Sequence, residues 1–267
     1  MKAPDIFVPA DHPHGIAHRG SRLLWPENTE VAFRGAAEFG YRLFETDLRV
    51  TADGVLVCFH DPVLNRTTNG RGFIANNSFD DLRRLDAGYR HRVDGDFPFR
   101  GKGLVVPSFV EMVEAFPGSG WVVDLKADHT ETLLADAIDE FGLAERVIVG
   151  SFSTERIARF RNLTNAQVPT STPPAELVRA MVATAASGRP LGARLTGHEA
   201  FHPSTVALQV PATWYGVLVV TGGLVRTAHD QGRLVHVWTV NDPSTMKALA
   251  EMGVDGLITD RADLLPP

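Results

Sequence analysis

Short apolar runs alternate with helix-like segments along almost the whole chain of 267 residues, and this alternation restricts the fold more than any other feature. Several runs are apolar on both faces, as the buried strands of a parallel sheet are. Eight runs predict strands: GIAH (15–18), YRLFETD (41–47), WVVDLK (121–126), RVIVGS (146–151), AQVPTS (166–171), VALQV (206–210), LVHVWTV (234–240) and GLITD (256–260). A further run, VLVV (217–220), could form a ninth strand, but we interpret it as a short extension that leads into the next helix.

The segments between these runs carry helix signals. Ser108 and Glu111 form a capping-box pattern. Residues 130–141 place apolar side chains at helical spacing before Gly142, and Pro243 suits the first turn of another helix. Eight strands that alternate with helices predict an α/β fold, a TIM (β/α)8 barrel, rather than an open doubly wound sheet. No glycine-rich nucleotide-binding motif follows a strand.

One segment interrupts the alternation. About 60 residues between Asp47 and Ser108 contain no good barrel helix, and segments of this length usually carry function. The segment begins with a predicted hairpin, in which Asp53 and Gly54 supply the turn. We therefore predict a single domain over 1–267 with a small insertion after strand two, at approximately 48–106, placed at the catalytic end of the barrel.

Composition limits the partners and the environment. The net charge of −6 disfavours nucleic acid as a partner. The single cysteine, Cys58, excludes an intramolecular disulfide and a cysteine-based metal site. No apolar run approaches the ~20 residues that cross a membrane, and the N-terminus has no run of signal-peptide length. We expect a soluble cytoplasmic protein without stable membrane insertion. A leader removed upstream and the oligomeric state stay open.

Carboxylates lie at the predicted ends of neighbouring strands, where TIM barrels build their active sites. Glu45 and Asp47 are two residues apart and therefore face the same side of the second strand, and Asp124 lies near the end of the third. Three such anions in a partly dry site repel one another by an energy on the order of several kcal/mol. One divalent cation relieves this repulsion, and oxygen ligands favour Mg²⁺ or Ca²⁺ over zinc.

The other polar residues at the strand ends suit a phosphoryl substrate. Arg19 offers a planar fork for phosphate oxygens, and Lys126 offers a point charge. The unperturbed pKa of the histidine side chain lies near neutrality, so the pair His18 and His60 can serve as general acid and general base. Trp238 is interpreted as core or as a pocket wall, and we place it with Arg19 and Lys126 among the substrate-binding residues. Each residue alone has a structural explanation, and only their coincidence at the strand ends predicts cleavage of a phosphate ester.

The motifs that carry these residues resemble a known family. In order they are AHRG, PENT, ETD, TADGVLVCFHDPVLNRTTNGRG, DLK, HVWTVND and GVDGLITDRADLL, from about Ile16 to Leu265. This pattern is similar to that of the glycerophosphodiester phosphodiesterases. The resemblance implies a TIM barrel with an insertion after strand two. It also implies a metal-dependent hydrolase that splits small-molecule glycerophosphodiesters into sn-glycerol 3-phosphate and an alcohol such as choline or ethanolamine.

The resemblance also implies residue roles. It makes His18 and His60 the catalytic histidines, Glu45 and Asp47 metal ligands, and Arg19 and Lys126 the phosphate-contacting cations. It further implies that the glycerol 2-hydroxyl attacks the phosphorus and forms a cyclic phosphate intermediate.

The chain departs from the family pattern at two residues, Asp124 and Asn65, of which Asn65 should affect only its loop. The family usually has E-x-K on strand three, whereas this chain has Asp124, so direct ligation by this residue stays open. The stretch 171–205 matches poorly. Because the family holds the alcohol end of the substrate there, the leaving group is the least readable feature.

Two alternative functions stay open. One is a lysophospholipase D or a phospholipase C-like enzyme at membranes, which requires an exposed apolar rim or a basic face. The other is a non-catalytic barrel that binds a phosphodiester, although such a barrel has little need of both His18 and His60.

Overall fold

The structure, a computed structural model, describes residues 1–178, 201–214 and 216–265. In chain order the strands are β1 (His14–His18), β2 (Leu43–Val50), β3 (Leu56–Cys58), β4 (Gly120–Leu125), β5 (Val147–Gly150), β6 (Thr170–Ser171), β7 (Thr205–Pro211), β8 (Thr213–Trp214), β9 (Val217–Leu218), β10 (Leu234–Trp238) and β11 (Gly256–Thr259). Eight of these described strands are parallel and run in the order β1-β2-β4-β5-β6-β7-β10-β11. Because β11 pairs again with β1, the sheet closes. The predicted TIM barrel is confirmed.

Helices connect the barrel strands. Those that lie completely within the described residues are α1 (Glu30–Glu38), α3 (Phe109–Ala115), α4 (Thr130–Glu140), α5 (Thr154–Leu163), α6 (Gly222–Asp230) and α7 (Pro243–Glu251), and the short α2 (Phe79–Arg83) lies in the insertion. Short 3₁₀ helices occupy Asp5–Phe7, Leu64–Arg66, Ile74–Asn76 and Ala144–Arg146. The predicted capping box is present, because the Ser108 hydroxyl accepts from Glu111 N and the Glu111 carboxylate accepts from Ser108 N. Pro243 lies in the first turn of α7, as predicted.

Two packed layers hold the barrel together. Outside the strands, the Trp121 ring lies 5.1 Å from the rings of both Phe33 and Phe44, and all three side chains are buried. Val122, the next residue, belongs instead to the apolar cluster with Ile148. This alternation follows the two-residue period of a strand. The barrel interior is therefore filled with side chains, and polar groups collect at one end.

The insertion lies between β2 and β4. Its hairpin forms as predicted, with β3 antiparallel to β2 and Gly54 at a φ of +82°. However, β2 continues to Val50, so the predicted start of the insertion falls inside a continuous strand. A separate small core, including the buried Leu64 and Ile74, stabilises the insertion. The insertion after strand two is confirmed, whereas the domain limits 1–267 and 48–106 stay predictions.

Two predicted elements differ in the structure. The strand predicted over 166–171 is reduced to Thr170–Ser171, because Asn165 and Ala166 have φ values of 48° and 55° and cannot extend a strand. The preferred interpretation of 217–220 as a short extension is wrong, and the alternative of a ninth strand holds for Val217–Leu218, because β9 pairs antiparallel with β8. Most of the poorly matching stretch 171–205 lies outside the described residues. No helix in the described ranges is both long and apolar enough to cross a membrane.

Candidate active site

A cavity of 590 Å³ opens at the carboxyl ends of the barrel strands. Its lining includes every residue that the sequence assigned to the site: His18, Arg19, Glu45, Asp47, His60, Asp124, Lys126 and Trp238. Strand ends converge at this edge of a parallel barrel, which explains why residues far apart in sequence meet.

The three carboxylates lie on adjacent strands, with Asp47 in register with Asp124. Lys126 Nζ lies 2.5 Å from Asp124 Oδ2 and 3.2 Å from Asp47 Oδ1. On the other side, Arg19 Nε lies 2.9 Å from Asp47 Oδ2. Asp47 is 1% exposed. It is therefore a buried anion that both predicted phosphate-contacting cations neutralise.

Burial acts to raise the pKa of all three carboxylates, but the net shifts differ in direction. It raises the pKa of Glu45 to about 7, with a further contribution from Asp47. It raises the pKa of Asp124 to about 6 against the opposing effect of Lys126. Burial also acts to raise the pKa of Asp47, but Arg19 and Lys126 outweigh it and hold that pKa below the usual range. Full ionisation of the cluster therefore calls for more positive charge than the two cations supply.

The donor chemistry of this cluster fits a hard divalent cation. Asp124 Oδ1 is buried without a hydrogen-bond partner among the described residues, and so is Asp47 Oδ1, which lies near Lys126 Nζ but outside hydrogen-bond geometry. Unpartnered carboxylate oxygens are the ligands that Mg²⁺ and Ca²⁺ prefer. Over the described ranges, no three Asp, Glu, His or Cys side chains already form a metal-binding cluster. The oxygens fit the ion, whereas Lys126 lies between two of the carboxylates.

His18, at the end of β1, is held by a carboxylate. Its Nδ1 lies 2.6 Å from Asp260 Oδ1, and its Nε2 lies 3.7 Å from Glu45 Oε2. Asp260 is itself fixed by Asn241 Nδ2 at 2.9 Å and by Arg22 Nε at 2.9 Å. Asp260 was not among the predicted site residues, although it is the last residue of the last predicted strand, GLITD (256–260), where the other site residues were sought. Its position there was the available signal.

His60 follows β3 and has a similar partner. Its Nδ1 lies 2.6 Å from Asp61 Oδ1. Burial lowers the pKa of His60, and the opposing effect of Asp47 does not restore it. A carboxylate on Nδ1 leaves Nε2 free to exchange a proton in the cavity. Both histidines therefore have the arrangement that acid–base catalysis requires.

The PENT loop (26–29) holds Asp47 in place through hydrogen bonds made by Asn28. Asn28 Nδ2 donates to Asp47 Oδ2 at 3.1 Å, and Asn28 Oδ1 accepts from the Thr46 hydroxyl at 2.8 Å. Asn28 has a φ of 57°, a left-handed conformation that asparagine tolerates. The sequence predicted no role for this loop. The PENT motif was noted only as part of the family resemblance.

Much of the remaining cavity wall is apolar, although Ser151, Thr172 and Gln209 also line it. Trp238, at the end of β10, packs edge-on against Phe152 with ring centroids 5.8 Å apart. The wall also includes Val122, Pro174, Leu177, Pro211, Val219 and Ile258. Pro174 and Leu177 belong to the poorly matching stretch 171–205. The cavity thus has a charged end and an apolar side.

Comparisons with known proteins agree with this geometry. A profile of the glycerophosphoryl diester phosphodiesterase family matches residues 18–264. A protein of Mycobacterium tuberculosis named "Probable glycerophosphodiester phosphodiesterase 2" is 34% identical over 251 residues, which cover 94% of this chain and 88% of the relative. A glycerophosphodiester phosphodiesterase of Caldanaerobacter subterraneus subsp. tengcongensis is 28% identical over 257 residues, which cover 94% of this chain and 95% of the relative.

The fold has solved counterparts. A glycerophosphoryl diester phosphodiesterase domain of Mycobacterium tuberculosis superposes with a TM-score of 0.79 at 19% identity, covering 94% of this chain and 96% of that domain. At this identity the likeness concerns the fold alone. The family profile and the 34% identical relative, by contrast, each span nearly the whole chain. The chain belongs to the glycerophosphoryl diester phosphodiesterase family.

Proposed function

We propose that this protein hydrolyses glycerophosphodiesters to sn-glycerol 3-phosphate and an alcohol in the cavity described above. One observation carries the proposal: His18 and His60, each with a carboxylate on Nδ1, line the same cavity as Arg19 and Lys126. Two proton-transfer groups beside two cations are what cleavage of a phosphate ester needs.

His60 is the proposed base and His18 the proposed acid in the first step. Burial lowers the pKa of His60, which leaves its ring neutral and able to take the proton of the glycerol 2-hydroxyl. The 2-oxygen then bonds to phosphorus, and the bond from phosphorus to the alcohol oxygen breaks. His18, which lies between two carboxylates, gives a proton to the departing alcohol. In the second step the roles reverse, and water opens the cyclic phosphate to sn-glycerol 3-phosphate.

Arg19 and Lys126 are proposed to hold the phosphoryl oxygens. Burial acts to lower the pKa of each, but the surrounding carboxylates outweigh it and raise both pKa values, so both side chains stay charged. Arg19 offers two or more donors in one plane, and Lys126 offers a mobile charge. Charges that are already in place can stabilise the oxygens as negative charge develops on them.

Glycerophosphodiester phosphodiesterases generally depend on a divalent metal ion. We propose that Glu45, Asp47 and Asp124 hold one such ion, Mg²⁺ or Ca²⁺. The buried, unpartnered oxygens of Asp47 and Asp124 support this assignment, as does the raised pKa of Glu45. When bound, the ion supplies Lewis-acid stabilisation of charge on the phosphoryl group.

The alcohol end of the substrate is proposed to lie against Trp238 and Phe152. This side of the cavity favours a second candidate substrate, a lysophospholipid. Phe152, Val178 and Trp214 line the cavity and are 61%, 57% and 52% exposed. Exposed apolar side chains at a pocket mouth are typical of contact with lipid. Values of kcat/KM for glycerophosphocholine and for lysophosphatidylcholine micelles would separate the two substrates.

The direct test is release of glycerol 3-phosphate from glycerophosphocholine and glycerophosphoethanolamine. We expect release with Mg²⁺ or Ca²⁺, loss after prolonged treatment with EDTA, and recovery when the ion is restored. Full activity after complete chelation would contradict the metal assignment, and no release under any divalent ion would contradict the activity. The cytoplasmic location and the absence of a nucleic-acid partner stay predictions from the sequence.

A further inference from the structure

Asp61, the partner of His60, is held on its other side by Arg66. Arg66 Nε donates to Asp61 Oδ2 at 2.6 Å, and Arg66 Nη2 donates to Asp61 Oδ1 at 3.1 Å. Asp61 Oδ1 also lies 2.6 Å from His60 Nδ1. The carboxylate is therefore fixed between the imidazole and a guanidinium.

The opposite edge of the same guanidinium binds the PENT loop. Arg66 Nη1 and Nη2 donate to the two carboxylate oxygens of Glu27, each at 2.7 Å. Glu27 also accepts from Arg19 Nη1 at 3.1 Å, and Arg19 lies against Asp47. One side chain thus joins the insertion, through a single acidic residue, to the proposed phosphate site.

Glu27, Asp61 and Arg66 are all ionised at neutral pH. The side chain of Glu27 is only 9% exposed, that of Asp61 is 20% exposed and that of Arg66 is 43% exposed. Burial acts to raise the pKa of Asp61, but Arg66 and His60 outweigh it and lower that pKa to about 2. Single exposed ion pairs are weak. The Arg66 guanidinium binds one carboxylate on each edge, and such bidentate ion pairs are the strong ones. A lysine side chain cannot reproduce this bidentate geometry.

We propose that Arg66 is a positioning residue for His60. Arg66 holds the Asp61 carboxylate against His60 Nδ1, and Glu27 fixes the position of the Arg66 guanidinium. The His60 imidazole therefore keeps one orientation in the cavity. The reason is geometric: without Arg66, the partly exposed Asp61 carboxylate can rotate into water. The ring of His60, whose side chain is 34% exposed, then loses its fixed partner. This inference rests on the proposed function, because it concerns the proposed base.

The kinetic test compares Arg66→Gln, Arg66→Lys and the control Arg71→Gln. Arg71 lies exposed in the same loop and has no ion pair with any residue that the structure describes. With glycerophosphocholine, we expect Arg66→Gln to lower kcat by roughly 10- to 100-fold with little change in KM. Arg66→Lys should recover only part of this loss, and Arg71→Gln should match the wild type. Wild-type kcat in Arg66→Gln, or in Arg66→Lys, would overturn the proposal.

A second readout separates positioning from mere support of the insertion. In ¹⁵N-histidine-labelled protein, His60 Nδ1–H should give a downfield proton signal, assigned by its loss in His60→Gln. We expect Arg66→Gln to weaken or shift this signal while Arg71→Gln preserves it. An unchanged signal in Arg66→Gln would overturn the positioning role. The signal decides this even if the wild type fails to cleave glycerophosphocholine, which would refute the proposed function instead. If Arg66→Gln does not fold, Arg66→Lys carries both readouts.

Discussion

His18 Nδ1 lies 2.6 Å from Asp260 Oδ1, although 242 positions separate the two residues in the chain. His18 ends β1 and Asp260 follows β11, the two strands whose parallel pairing closes the barrel, with Ala17 opposite Thr259. Closure of the sheet therefore places the proposed acid beside the carboxylate that orients it.

Asp260→Asn should weaken catalysis more than binding. The amide cannot accept the Nδ1 proton with the strength of a carboxylate, so the His18 ring loses its preferred orientation. We expect kcat for glycerophosphocholine to fall by roughly 10- to 100-fold, with KM changed little. Asp263→Asn, an exposed acid three residues further on, is the control. Equal kcat values for Asp260→Asn and wild type would refute the orienting role.

The acid limb of the pH profile should report His60. Burial lowers its pKa below the ordinary value of 6.5. Because a base works only when deprotonated, kcat/KM measured at saturating Mg²⁺ or Ca²⁺, which keeps Glu45 ionised, should fall as the pH drops through the lowered pKa of His60, with a midpoint below pH 6.5. His60→Gln should remove most activity at every pH, whereas His12→Gln, on the exposed N-terminal arm, should keep the profile. A profile that falls already above pH 7 would contradict this assignment.

Asp124 should tune metal affinity. Asp124→Glu restores the length of the usual family residue, so its carboxylate reaches further into the cavity. We expect it to bind Mg²⁺ or Ca²⁺ more tightly than wild type, and Asp124→Asn to bind roughly tenfold more weakly. Isothermal titration of the apo proteins with each ion measures both effects. Identical affinities for the two variants would show that Asp124 does not contact the ion.

His236 should make the fold sensitive to acid. It is 1% exposed in the barrel, both ring nitrogens lack hydrogen-bond partners among the described residues, and burial lowers its pKa to about 3. The unfolded chain therefore binds a proton that the folded chain does not as the pH drops below 6.5. This group alone should lower the free energy of unfolding by up to about 1.4 kcal/mol per pH unit between those values.

Urea unfolding at several pH values measures this slope. In His236→Leu, the free energy of unfolding should change less steeply with pH, by the equivalent of about one proton bound on unfolding. His12→Gln should show the same pH dependence as the wild type. A slope that is the same in His236→Leu would show that another group carries the acid sensitivity.

Much of the barrel and of the cavity lining was predictable from the sequence because both follow strand periodicity. Residues two apart on a strand face the same side, which placed Glu45 with Asp47. The shared edge of a parallel barrel then brought in Asp124 and Lys126.

The contacts that orient the histidines were not predictable in this way. Asp61 reaches His60 and Arg66 through loop geometry. The connection from Arg19 to Asn28 in the PENT motif requires a left-handed backbone at both of these residues, with φ values of 51° and 57°. Such conformations depend on tertiary contacts rather than on a repeating pattern. The pairing of β8 with β9 was not predicted either. Each of these strands is only two residues long, which is too short to show a repeating pattern.

The central claim is tested most directly by following glycerophosphocholine with ³¹P NMR in the presence of Mg²⁺ or Ca²⁺. The account predicts that the wild type converts the diester signal to that of sn-glycerol 3-phosphate, and that His60→Gln leaves the diester intact over the same period. Phosphocholine as the product, no conversion by the wild type, or equal conversion by His60→Gln would contradict it.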